Sequence, residues 1–344
     1  MNTKTNLQLL DISKIKQVDK NRMYEIYNQW PRIAESSFNK KYNQVNYKQI
    51  DHIVFSGMGG SGTIGDVFEA ILSKTNIHVS VVKGYLLPNT VNDKTLVVTT
   101  SVSGDTAETL MILEQAFQKK TKILALSSGG KMEDFCNSNG IDFRKIEKFH
   151  SPRCSFTSAL YSMLNILKPI IPISNEIINE SIEELKKIKK EISTENLTTK
   201  NPSLSLANWI KNIPLVYYPN GLQSAAVRFK NSLQENAKNH AIVEDVVEAT
   251  HNGVVAWENK SSIQPILLQG KDDYIKTKER WKILEEYFEI NKIEYKVIYS
   301  SEGGILTKLM SLIYLLDYST IYKAVLLNID PTPIASIEFF KGRL

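Results

Sequence analysis

The sequence predicts an α/β protein of two tandem units, each a doubly wound parallel sheet with helices on both faces. Three observations lead there. Short apolar runs alternate with longer stretches of helical spacing, the alternation stops at a polar stretch and then resumes, and two of the runs open into loops dense in glycine, serine and threonine. The first runs lie at 53–56, 79–82, 96–100 and 123–126. Short, mainly apolar runs each followed by a helical segment suit parallel strands covered on both faces. A helix predicted over 177–192 precedes the polar stretch 193–203, which sets a domain boundary. Residues 1–192 are then an N-terminal segment plus a first domain, and 193–344 a second domain with C-terminal helices. Runs at 214–218, 266–268 and 295–299 resume the pattern. Residues 306–327 have the spacing of a long buried helix, Asp330-Pro331-Thr332-Pro333 breaks it, and 334–340 form a last short helix leading to Lys341.

Composition narrows the function. A chain of 344 residues, 42% of them apolar, is long enough for about two domains with real cores. It has no tract of 18 unbroken apolar residues, and residues 1–6 are polar and lack a signal-like apolar region. We expect a cytoplasmic protein with no membrane partner. Cys136 and Cys154 are not in a Cys-x-x-Cys pair and can supply neither a disulfide framework nor a zinc site unaided. The charge of +5 comes from 42 basic and 37 acidic residues that are interspersed. The densest basic run, Lys186-Lys187-Ile188-Lys189-Lys190, comes after Glu183 and Glu184 and reads as a solvated helix face. No nucleic-acid partner is expected.

The first loop, Gly57-Met58-Gly59-Gly60-Ser61-Gly62-Thr63, joins a buried strand to a helix start. Glycine lets backbone approach an anion, the helix N-terminus offers unpaired N–H groups, and Ser61 and Thr63 add hydroxyls. Gly57-x-Gly59-x-x-Gly62 also satisfies a dinucleotide fingerprint. That reading asks for an acidic residue about 20 positions on, but the second strand ends Val81-Val82-Lys83. The third strand ends in Ser101-Val102-Ser103-Gly104-Asp105-Thr106, a second hydroxyl cluster opening a helix. Strand carboxyl ends of a doubly wound sheet face one crevice. One small dianion held by Gly60, Ser61, Ser101, Ser103 and Thr106 fits better than a pyrophosphate. Simple N-capping is the alternative for the second loop.

Those two loops, with Ser151-Pro152-Arg153, Gln234-Glu235-Asn236-Ala237-Lys238, His251-Asn252 and Asp330-Pro331-Thr332-Pro333 in that order, resemble the tandem sugar isomerase (SIS) proteins. Within them the chain resembles the bifunctional phosphoglucose/phosphomannose isomerases. The resemblance implies two SIS domains of flavodoxin-like three-layer αβα form, a homodimer with active sites near the subunit interface, and no metal or other cofactor. The activity it implies interconverts glucose 6-phosphate or mannose 6-phosphate with fructose 6-phosphate. Three positions depart from the family pattern and bear on preference and rate: Asp105 where Asn is usual, and Ala107 and Gly253 where acidic residues are common.

Aldose–ketose isomerisation needs a base, a stabiliser of the enediolate and an acid–base group at the ring oxygen. By the family match Glu235 is the base, against the plain reading of a helix-terminal glutamate paired with Lys238. Arg153 is the fixed charge for the enediolate, and His251 opens the ring, imidazole being the side-chain type that gives and takes a proton near neutrality. Lys341 matches the family's lysine near the chain end and assists at the ring oxygen; Lys308 is the competing lysine. His52, His78, His150 and His240 have no motif around them. A non-catalytic sugar-phosphate sensor is the second reading. Against it, the first 50 residues show helical spacing but no compact basic helix-turn-helix. Aminosugar-phosphate chemistry and a dehydrogenase rank below both.

Overall fold

The computed structural model describes residues 8–343. Their contacts form two compact units. One takes Gln29–Ile182 and the chain from Phe339; the other takes the described residues up to Asn28 and Glu183–Glu338. The division falls inside the helix α8 (Asn175–Ile192) and gives the first two helices to the later half of the chain.

The first unit holds a parallel sheet ordered β2-β1-β3-β4-β5. Its strands are β1 (His52–Ser56), β2 (His78–Val82), β3 (Thr95–Ser101), β4 (Lys122–Ser127) and β5 (Asp142–Lys145). Every residue of β1 and β3 is buried, which explains their unbroken apolar runs, whereas the edge strand β2 is half-exposed. Helices α5 (Ala107–Gln118) and α6 (Gly130–Asn139) cover one face through Val54, Val97, Ala125, Ile112 and Met132. On the other face α4 (Gly60–Leu72) packs against β1 and β2, with Phe55 and Phe68 stacked at 4.7 Å. Gly65 permits that approach, since a Cβ there would lie 2.9 Å from Val81 Cγ1 and 3.0 Å from Phe55 Cβ. Helices α3 (Trp30–Asn39) and α7 (Phe156–Ile166) pack together, and α7 also meets α4. This is the three-layer αβα arrangement with flavodoxin-like strand order.

The second unit repeats it with four parallel strands ordered β7-β6-β8-β9: β6 (Pro214–Tyr218), β7 (Ile242–Asp245), β8 (Gln264–Gln269) and β9 (Lys296–Tyr299). One face carries α11 (Val246–Ala249) and α12 (Ile275–Ile290) around Tyr217, Trp257, Leu267, Trp281 and Phe288. Helices α9 (Pro202–Trp209), α10 (Gln223–Ala237) and α13 (Ile305–Leu326) pack against one another. By length and composition α13 could cross a membrane, but most of it is buried in the protein, as a core helix is. Its Tyr314, Tyr318 and Tyr322, spaced one turn apart, donate to Tyr27 O, Asn28 Oδ1 and Ile192 O. Helices α1 (Ile12–Val18) and α2 (Met23–Asn28) touch α13, and α14 (Ala335–Lys341) ends the described chain.

Candidate active site

The first loop turns at Gly59, whose φ of 54° is left-handed. A Cβ on Gly57 would lie 2.8 Å from Ser61 Cβ, and one on Gly62 2.7 Å from Gly57 O, so the coil closes only with glycine at both places. Gly60 and Ser61 open α4. The Ser61 hydroxyl makes no hydrogen bond among the described residues, while Thr63 Oγ1 donates to Gly59 O at 3.1 Å. Lys83 packs its stem on Gly62 and donates to Asp66 Oδ2 at 2.5 Å. Burial raises the Asp66 pKa, and Lys83 partly opposes that. With its ammonium committed to Asp66, Lys83 is not a free receptor for a dinucleotide's 2′-phosphate.

The second loop is a hydroxyl cluster. Ser101 Oγ lies 2.8 Å from Thr106 Oγ1 and 3.3 Å from Ser103 Oγ, and it accepts from Gly104 N at 3.1 Å. Thr106 occupies the N-cap position of α5 yet makes no capping hydrogen bond. The capping alternative therefore fails on geometry: Thr106 turns to Ser101, and the N–H groups of the α5 first turn stay available to an anion.

A third loop, missed in the sequence, braces the second. Ser127-Ser128-Gly129-Gly130 joins β4 to α6. Ser128 N and Oγ both donate to Val102 O, at 3.1 and 2.7 Å, and Met132 N donates to Gly104 O at 3.0 Å. Gly104, with φ 81°, sits so close that a Cβ would fall 1.8 Å from Gly129 O. The run Ser-Ser-Gly-Gly at a strand's carboxyl end was the available signal. Asp105 points into this brace: its Oδ1 accepts from Lys131 N at 3.0 Å.

In the same unit Arg153 is buried, 5% exposed, in a turn before α7. Ser155 Oγ closes that turn on Phe149 O and Ser151 O at 3.0 and 2.9 Å, and Trp30 Nε1 donates to Cys154 O at 3.2 Å. Lys341 is the exposed last residue of α14.

Glu235 and His251 lie in the other unit. Glu235 is half-buried in the last turn of α10, before β7 in the chain; His251 is exposed past α11, after β7. The end of α10 is firmly held. Asn236 Nδ2 donates to Thr320 Oγ1 at 2.8 Å in the core, and Lys238 Nζ donates to the carbonyl oxygens of Glu235 and Pro333 at 2.5 and 2.8 Å. Two turns earlier, buried Arg228 donates through Nε and Nη2 to Asp317 Oδ2 at 3.0 and 2.8 Å, and Tyr27 OH reaches the same oxygen at 3.2 Å. Burial opposes the Arg228 charge, but Asp317, then Tyr27 and Glu235, hold its pKa above the ordinary guanidinium range. Sequence reasoning missed this pair because its members are 89 positions apart.

Near His251, a Cβ on Gly253 would lie 2.8 Å from Glu244 Oε2, so glycine at 253 makes room for that carboxylate. Burial raises the Glu244 pKa. Lys308 pairs with Asp272 at 2.5 Å.

Residues 46–167 match the SIS domain family, and residues 199–344 match the bacterial phospho-glucose isomerase C-terminal SIS domain. A bifunctional phosphoglucose/phosphomannose isomerase of Caldicellulosiruptor bescii is 32% identical, covering 94% of this chain and 98% of that protein. One from Aquifex aeolicus is 30% identical, covering 88% and 95%. Among solved structures, a hypothetical protein from Thermus thermophilus superposes with a TM-score of 0.69 at 15% identity, over 96% of this chain and 88% of that one, a likeness of fold.

Proposed function

The chain belongs to the bifunctional phosphoglucose/phosphomannose isomerases, and we propose from that membership and its own residues how it works. It is a sugar-phosphate isomerase that interconverts glucose 6-phosphate and mannose 6-phosphate with fructose 6-phosphate. The observation that carries the residue-level reading is the hydroxyl cluster of Ser101, Ser103 and Thr106 at an uncapped helix start. A phosphate dianion is the ligand such a cluster suits, with Gly60 and Ser61 contributing from the first loop. A sensor without catalysis is not favoured, since full-length relatives carry enzyme names.

In this reading His251 donates a proton to the ring oxygen as the ring C–O bond breaks, with Lys341 assisting, and the anomeric hydroxyl gives up its proton to water. Glu235 then removes a proton from C1 of the open ketose. Arg153 stabilises the negative charge that develops on the C2 oxygen. A proton moves from the C1 oxygen to the C2 oxygen, the carbonyl forms at C1, and Glu235 returns its proton to C2. Because the cis-enediol is planar, delivery to one face gives the glucose epimer and to the other the mannose epimer. Room for the C2 hydroxyl on either side is sufficient for both activities.

We assign the phosphate site to a domain within 1–192 and Glu235 and His251 to one within 193–344. A cytoplasmic homodimer serving glycolysis and gluconeogenesis, with no membrane or nucleic-acid partner, completes the proposal. Its test is to supply purified protein with fructose 6-phosphate in chelator-treated buffer and follow both aldose phosphates by separate coupled assays. Both should form. If neither forms while fructose 6-phosphate still raises the melting temperature, the protein is a sensor.

A further inference from the structure

Helix α6 lacks a cap of its own. Its N-cap residue is Gly129, which has no side chain and makes no capping bond. Glycine at 129 and 130 suits the positive φ of 148° and 75° there, while at Gly104 it is the close approach to the Gly129 carbonyl that leaves room for no Cβ. A cap arrives from outside the helix, because Asp105 Oδ1 accepts from Lys131 N, the second N–H of α6, at 3.0 Å. Gly130 is held small on the same account, since a Cβ there would meet Asp105 Oδ1 and Ser103 O, each at 2.7 Å. The backbone N–H of Asp105 meanwhile donates to Ser103 Oγ at 3.3 Å. One residue thus holds a hydroxyl of the cluster with its backbone and the start of α6 with its carboxylate.

We propose that Asp105 is a positioning residue for the substrate phosphate. It caps α6 across the loop gap and thereby fixes the Ser101, Ser103 and Thr106 hydroxyls in place, without itself touching the sugar. Its negative charge is spent on the positive end of α6, so a carboxylate next to the cluster is compatible with binding a dianion. This deepens the reading of the second loop as the phosphate site and rests on it.

The test compares Asp105→Ala and Asp105→Asn with the wild-type enzyme. Asp105 is exposed, so both variants should fold, which circular dichroism checks. The alanine variant loses the cap, and its KM for fructose 6-phosphate should rise severalfold, to about tenfold, with kcat within about twofold of wild type. Asparagine keeps an oxygen that accepts the same N–H and should restore KM to within about twofold. If alanine leaves KM unchanged, lowers kcat alone, or is matched by asparagine, Asp105 is not a cap that positions the cluster. Titration of wild-type protein with inorganic phosphate and with fructose 6-phosphate separates the two levels. Wild-type protein that binds neither and turns over nothing overturns the phosphate-site reading itself.

Discussion

The two sheets share a strand order, 2-1-3-4, and differ in the loops that leave their strands. In the five-stranded unit the first strand opens into Gly57-Met58-Gly59-Gly60-Ser61, and the third into a hydroxyl cluster that no cap uses. In the four-stranded unit the first strand opens through Pro219 into the 3-10 turn Asn220–Leu222, and the loops after β8 and β9 carry charges already matched. Lys271 pairs with Glu302 at 2.8 Å, Lys308 with Asp272, and Ser301 Oγ donates to Glu184 at 2.7 Å. In the reading proposed above, one scaffold serves two purposes: the glycine loop and the clustered hydroxyls make an anion cradle, whereas the other repeat carries Glu235 and His251, before and after β7, instead.

That contrast can be broken by substitution. The largest effect is expected at Glu235: Glu235→Gln should lower kcat by about a thousandfold or more while fructose 6-phosphate affinity stays within about threefold, measured by steady-state assay and calorimetry. Near wild-type turnover would remove Glu235 as the base. Next is Arg228→Met, which strands the Asp317 carboxylate in the core. Urea unfolding should show a loss of roughly 3–5 kcal/mol, much of it recovered when Asp317 is also made leucine. Gly104→Ala sharpens the cradle side. Its Cβ cannot be accommodated against Gly129 O, so phosphate-ester affinity should fall about a hundredfold, with a smaller change in kcat.

The smallest effect belongs to pH. His52 lies against His78 where β1 and β2 begin, their rings tilted with centroids 4.8 Å apart, and bonds Ser80 Oγ at 2.9 Å. Burial, then the His78 charge, lowers its pKa below the ordinary value of 6.5. The unfolded chain therefore takes up this proton first, so stability from this site is complete above pH 6.5 and declines as pH falls from there through the lower folded value. Melting temperature should be flat above about pH 7 and drop below 6.5, and His52→Gln should flatten the acid limb.

The covered strands were legible because burial on both faces leaves unbroken apolar runs, as in β1 and β3. The edge strands β5, Asp142-Phe143-Arg144-Lys145, and β7, Ile242-Val243-Glu244-Asp245, were not, since half-solvated edges tolerate charge. The long helix α13 was placed within one residue at each end, its apolar run being uninterrupted by proline or glycine. At the site, both hydroxyl loops could be read from local composition, but the brace between the second loop and the third could not. Ser128 meeting Val102, and Asp105 meeting Lys131, are contacts across 26 positions. For Glu235, Arg153 and His251 no local pattern sufficed, and the family resemblance supplied their roles.

The most direct measurement is conversion of fructose 6-phosphate in deuterium oxide, with proton NMR of the glucose 6-phosphate and mannose 6-phosphate formed at low conversion. Proton transfer by a solvent-exchangeable carboxylate predicts deuterium at C2 of both products and, in recovered ketose, at C1. Full retention of protium at C2 in both, with none exchanged into the ketose even on prolonged incubation, would contradict a solvent-exchangeable Glu235 as the proton carrier.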